Sequence, residues 1–337
     1  MMMKKWNGIL LATLLIGAGA ARAKEGEGLH LAPGVGLGVL VEVEAAYEKI
    51  GAEESTDANV ATFEVGLEAE PMEGVRGEAA LLWEEGERDS VEVDSAFIEL
   101  GGTEALPVAV SAGRIYLPFG AFNSFMVSDP LTLELGETRE TAVALSGGWR
   151  TFTAWAGVFA GERDDAEDVE NAAAALGWTP VEGLTLGVSV LSDLGEGAGY
   201  VDDLNDVLAS EGSAEKAVGV SAFLLLERGA WSLAAELLGA VEDLEWTDAE
   251  GETTSVRPQA WHVDVAYAFN DAWSAAARYE GSKEFKADEM PEHQGGAAVF
   301  CQLNAFAVLG AEYLYGTFED EEAGDRHLAT IQLALEF

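Results

Sequence analysis

The stretch 113–140, GRIYLPFGAFNSFMVSDPLTLELGETRE, gathers most of the residues in this chain whose types and spacing suit chemistry. Arg114, Asp129, Glu134, Glu137, Arg139 and Glu140 set opposite charges close together, and Tyr116, Phe119, Phe122 and Phe125 add rings that are costly to leave in water. Pro118, Gly120 and Pro130 interrupt any strand ladder. That mixture suits noncovalent recognition and charge filtering of a solute. Covalent chemistry finds less support. His262 and Asp264 share one face two residues apart, but His30, His293 and His327 are scattered, and no Ser-His-acid or metal-ligand spacing emerges. Cys301 is the single cysteine, so neither an internal disulfide nor a cysteine metal site is expected, and no cofactor is implied.

Such side chains need a scaffold, and the sequence reads as strands. The last twelve residues, RHLATIQLALEF, place Ala329, Ile331, Leu333, Leu335 and Phe337 on one face, and Arg326, Thr330, Gln332 and Glu336 on the other. A period of two with one apolar face marks a half-buried strand. About sixteen segments of roughly ten residues repeat the pattern, the length a tilted strand needs to cross a bilayer. The clearest alternation is at 261–269, where Trp261, Val263, Val265, Tyr267 and Phe269 oppose His262 and Asp264. A strand at 149–159 has no assignable facing, and one near 96–100 alternates poorly, with Ala96, Ile98 and Leu100 as its apolar face. Connections alternate too. Short ones fall near Pro71, Thr103, Gly147, Pro180, Glu227, Asn270 and Asn304, and long acidic ones include 117–137, 193–215, 242–258 and 281–293. Short periplasmic turns and long outer loops are the habit of outer-membrane barrels.

The fold expected is therefore all-β: a closed antiparallel transmembrane β-barrel of about sixteen strands, porin-like, with a third outer loop at 117–137 folding inward. Inward positions then carry Glu42, Glu44, Glu64, Glu68, Glu78, Glu236, Asp264 and Glu280 against Arg76 and Arg278, an acidic lumen that attracts cations.

The first 23 residues supply a compartment. Lys4 and Lys5 precede an apolar run, and Ala21-Arg22-Ala23 offers small residues at a cleavage site, so 1–23 reads as a signal peptide and 24–337 as the barrel. Losing Lys4, Lys5 and Arg22 takes the formal charge from −43 to −46. Nucleic acid is excluded as a partner by that charge, whereas outer-membrane lipid and the barrel-assembly machinery of a Gram-negative cell are expected. With 49% hydrophobic residues and no long apolar run after residue 23, any membrane crossing has to use strands.

The run Gly113, Arg114, Tyr116, Pro118, Phe119 and Gly120, followed by SDPLTLELGETRE at 128–140, resembles the LbtU-type siderophore porins. The resemblance implies an outer-membrane barrel that takes up iron–siderophore complexes. Only KEGEGLHLAPGV separates residue 23 from the first strand, too short for a plug domain, so passive transport is expected, with selectivity from pore size and lumen charge. Arg114 and Arg139 are expected to contact ligand or to hold the loop through Asp129, Glu134 or Glu137. The alternatives are a general or cation-selective diffusion porin passing small solutes and ions, and, in a different class, an outer-membrane enzyme. Association into a homotrimer is an analogy with sixteen-stranded porins.

Overall fold

The computed structural model describes residues 29–86, 90–104, 106–163, 168–287, 289–320 and 323–337; the proposed signal peptide lies outside the described residues. Sixteen strands form the wall. In chain order they begin with β1 Val35–Ile50, β2 Glu53–Met72, β3 Val75–Trp83, β4 Glu92–Gly101, β5 Val108–Tyr116, β6 Arg139–Trp149, β7 Phe152–Phe159 and β8 Asn171–Val181. They continue with β9 Leu184–Leu191, β10 Gly219–Arg228, β11 Trp231–Ala240, β12 Gln259–Asn270, β13 Trp273–Lys283, β14 His293–Asn304, β15 Ala307–Thr317 and β16 Asp325–Glu336. Each pairs antiparallel with the next, and β16 returns to β1 with Leu40 opposite Glu336 and Ile50 opposite Arg326. Val39 and Phe337 exchange two backbone hydrogen bonds of 2.8 and 3.1 Å, so the terminal residue is the last rung of the seam. A short strand, Leu29–Ala32, folds back on the start of β1.

Alternation sets the facing. In β12, Val263 is exposed on the outer surface while His262 and Asp264 are buried inside. Aromatic contacts sit toward both ends of the strands. Trp261 meets Tyr279 edge-on at 5.1 Å near one rim, and Trp231 meets Tyr267 at 4.7 Å near the other. Rings at both boundaries suit a membrane-spanning wall.

Several boundaries depart from the sequence reading. The first outer connection is a tight turn at Gly51, because β1 and β2 run on as a long hairpin. Gly147 and Gly148 stay inside β6, and the turn falls at Arg150, which takes φ +57° with its guanidinium 4.6 Å from the Trp149 ring. The unassigned strand, β7, turns Trp155 and Phe159 inward. Both of its faces are apolar because this part of the interior is packed with loops.

Three outer loops supply that filling besides the third. The loop 192–218 contains helix α2 Val201–Ala209, which follows helix α1 Leu131–Gly136 of the third loop. Ser213–Ala214 of the same loop joins Leu244–Thr247 and Thr253–Val256 in a small three-stranded sheet. Tyr200 packs 5.8 Å from the ring of Phe285 and 6.1 Å from Trp246. Together with Leu135, Leu194, Leu204, Leu238 and Leu244, they form one apolar cluster reaching from the loops into the barrel. Burying that cluster holds loops that carry few strand contacts of their own.

Candidate functional site

The segment between β5 and β6 is held by side chains of β9, β11–β13 and β15. A connection buried away from water needs partners for its own N–H and C=O groups, and this one has no strand beside it. Carboxylates take the role. The amides of Ala121 and Phe122 donate to Glu236 on β11, both at 2.8 Å, and that of Phe125 donates to Asp264 on β12 at 3.0 Å. Val127 donates to Glu312 on β15 at 2.6 Å, and Leu131 to Glu280 on β13 at 2.9 Å. Gly120 donates to the Ser189 hydroxyl on β9. Such charge-assisted bonds are about twice as strong as neutral ones.

Donors from the wall serve the loop's carbonyls. Arg278 Nη1 donates to Ser128 O at 3.0 Å and Asp129 O at 2.9 Å, its Nε donates to Asp264 at 2.9 Å, and a third nitrogen reaches Ser124 Oγ. His262 Nε2 lies 3.1 Å from Asn123 O. A carbonyl only accepts, so Nε2 carries hydrogen, and in the neutral ring Nδ1 accepts the Thr132 hydroxyl at 2.9 Å.

These contacts correct one expectation. Glu236, Asp264, Arg278 and Glu280 face inward as the alternation requires, yet the loop covers them and they do not line a water path. The rings also anchor more than they line: Phe119 is fully buried, and Phe122 and Phe125 pack against the apolar clusters. Gly120, at φ +91°, lets the chain turn where a Cβ would strike the Phe122 ring. On its outer side the loop is held by Ala198, whose amide donates to Glu137 O at 2.8 Å.

Loops thus pack on the interior beside β6–β13, and partly open inward polar residues lie on β16, at Arg326 and Glu336, and along β1–β3. Glu42, Glu44, Glu64, Arg76 and Glu78 are half-buried there, and Glu68 is exposed. Arg76 pairs with Glu78 at 2.9 Å and Glu68 at 3.5 Å, and Glu44 accepts from Gln332 at 2.8 Å. On the loop, Asp129 and Glu134 are exposed and Glu140 is buried. The short ion pairs of the two arginines go to residues the sequence reading did not name. Arg114 pairs with Glu162 at 3.2 Å, and Arg139 with Asp94 at 2.7 Å. Tyr116 donates its hydroxyl to the same Asp94 oxygen at 2.6 Å. Sequence reasoning also missed Glu312, although the alternation of Ala311, Glu312 and Tyr313 marks it as an inward acid.

Glu137, at the end of the loop, has its carboxyl pushed up to about 8, by burial first and then by the neighbouring Asp129 and Asp94 charges, against the pull of Arg139. Raising the pH through that value adds a negative charge at the foot of the third loop. Cation preference in asymmetric KCl is therefore expected to rise between pH 6 and 9, and to rise less in Glu137→Gln; identical profiles for the two proteins would show that Glu137 does not contribute to selectivity.

Wall, seam and inward loop make a closed sixteen-stranded antiparallel β-barrel of porin-like architecture. Solved structures share the architecture. The outer membrane channel DcaP of Acinetobacter baumannii superposes with a TM-score of 0.66 at 12% identity, over 92% of this chain and 99% of that one. An anion-selective porin from Comamonas acidovorans gives 0.64 at 10% identity, over 90% and 99%, and Salmonella typhi OmpF gives 0.64 at 12%, over 90% and 97%. No family model matches the sequence. A UPF0422 protein of Legionella pneumophila (strain Paris) is 25% identical over 275 residues, covering 71% of this chain and 50% of the relative. A UPF0422 protein of Coxiella burnetii is 35% identical over 98 residues, 27% of this chain and 21% of that one. The chain spans about half the length of the Legionella relative.

Proposed function

We propose that the protein is an outer-membrane diffusion channel whose third loop forms a fixed constriction, and that the solutes it serves are iron–siderophore complexes. The observation that carries the channel reading is the seating of the loop by Glu236, Asp264, Arg278, Glu280 and Glu312; in this reading solutes pass beside the loop along β1–β3, where inward acids remain partly open. The siderophore assignment is supported by the resemblance of 113–140 to siderophore porins. Glu42, Glu44, Glu64, Glu68 and Glu78 outnumber Arg76 along the path, which favours neutral or cationic complexes over anionic ones.

That same acidity supports a second reading, a cation-preferring diffusion porin without a dedicated solute. Single-channel recording with added ferric hydroxamate and ferric carboxylate complexes separates the two. Siderophore transport predicts saturable block of the current, stronger for the cationic complex, and loss of that block together with a higher conductance when 121–133 is deleted. Normal conductance with no block by either complex would leave the cation-preferring porin. Anion preference in a KCl gradient would overturn the electrostatic part of both.

A further inference from the structure

We propose that Asp94, turned inward by a β-bulge, sets charge selectivity at the constriction by balancing the charge of Arg139; the inference rests on the channel reading above. The bulge is visible in the register of β3 and β4. Ala80 lies opposite Ser95 and Leu81 opposite Val93, so Asp94 is the extra residue. Its consequence is that two successive side chains point the same way: Asp94 is 3% exposed and Ser95 6% exposed, while Val93 remains outside. Under strict alternation Asp94 would share the outer face with Ile98 and Leu100, where lipid lies. A bulge re-aims a side chain at the expense of a regular ladder, and here it brings a carboxylate to the root of the third loop.

What Asp94 meets there is specific. One of its oxygens accepts both the Tyr116 hydroxyl at 2.6 Å and Arg139 Nη1 at 2.7 Å. Tyr116 and Arg139 are direct cross-strand partners on β5 and β6, and the guanidinium lies 5.9 Å from the Tyr116 ring centre. The guanidinium is thereby drawn against the wall. Arg139 flanks Glu137 and the exit of the loop, and the charge of Asp94 acts on Glu137, Glu64 and Glu78. The Asp94 and Arg139 charges cancel within the pair, and the acids of β1–β3 set the sign. Gly113 in β5 keeps this corner close, at φ +141°, where a Cβ would collide with Ala96 O and the Phe97 backbone.

The test is the reversal potential in a KCl gradient, recorded with the full chain in planar bilayers for wild type, Asp94→Asn, Arg139→Gln and the double variant. Asp94→Asn is expected to move the potential toward anion permeation and Arg139→Gln to move it further toward cations. The double variant, with the pair's charge again zero, is expected to return to the wild-type value. A change in conductance with no change in potential for Asp94→Asn would make Asp94 a purely structural brace and overturn the proposal. So would a double variant that fails to return. If Asp94→Asn does not assemble, Arg139→Gln carries the test alone, and an unchanged potential there overturns the proposal. A wild-type barrel that folds but passes no ions would instead refute the channel reading beneath it.

Discussion

Arg278→Ala is expected to cost about 3–5 kcal/mol of barrel stability, because it leaves buried carboxylates without their counter-charge. Arg278 pairs with Asp264 at 2.9 Å and Glu280 at 3.6 Å, and all three side chains are fully buried. The same guanidinium donates to the carbonyls of Ser128 and Asp129, so two loop acceptors lose their donor at once. Thermal unfolding in detergent should show the drop. Single-channel recordings of the barrels that survive should show a larger and noisier conductance, since the loop is no longer pinned at its midpoint. An unchanged melting temperature with unchanged conductance would mean that the carboxylate–amide bonds alone seat the loop.

The outer surface carries the second large effect. Val263 lies on the lipid side of β12, two residues from Trp261 at one rim and four from Tyr267 toward the other. An arginine at this depth is expected to cost roughly 2–4 kcal/mol, while the same change at Phe269, close to the water boundary, is expected to cost about 0–1 kcal/mol. Folding titrations of Val263→Arg and Phe269→Arg into lipid vesicles measure the difference. Equal costs would place the bilayer elsewhere on the wall, and no cost at either site would argue that this face meets water.

The wall was legible from period-two alternation and from the long and short connections, because lipid outside and polar groups inside act on successive residues in opposite ways. β12 and β16 show this cleanly. β7 did not, since Trp155 and Phe159 face an interior packed with loops and both sides of the strand are apolar. β4 read poorly because the bulge at Asp94 breaks the period there. The inward loop was marked by its prolines, rings and charges. What each inward carboxylate meets was beyond local pattern: Glu42 and Glu236 look alike in sequence, yet one borders the open path and the other is sealed under the loop. Arg114 finds Glu162 and Arg139 finds Asp94 through separations of 48 and 45 residues, which no local spacing encodes.

The long reach of the loop's anchors has a consequence for how the barrel is made. Ala121 waits for Glu236, 115 residues further along the chain, and Val127 waits for Glu312, 185 residues further along. Contacts of such high sequence separation form late, after the entropy of closing the intervening chain has been overcome. Glu312 lies on β15, next to the strand that seals the seam. A chain halted before β15 therefore lacks a closed wall and the Glu312 tether of Val127 and Ser128, although the anchors on β11–β13 are already made. The last tether of the filter and the last seam of the cylinder thus depend on the same end of the chain.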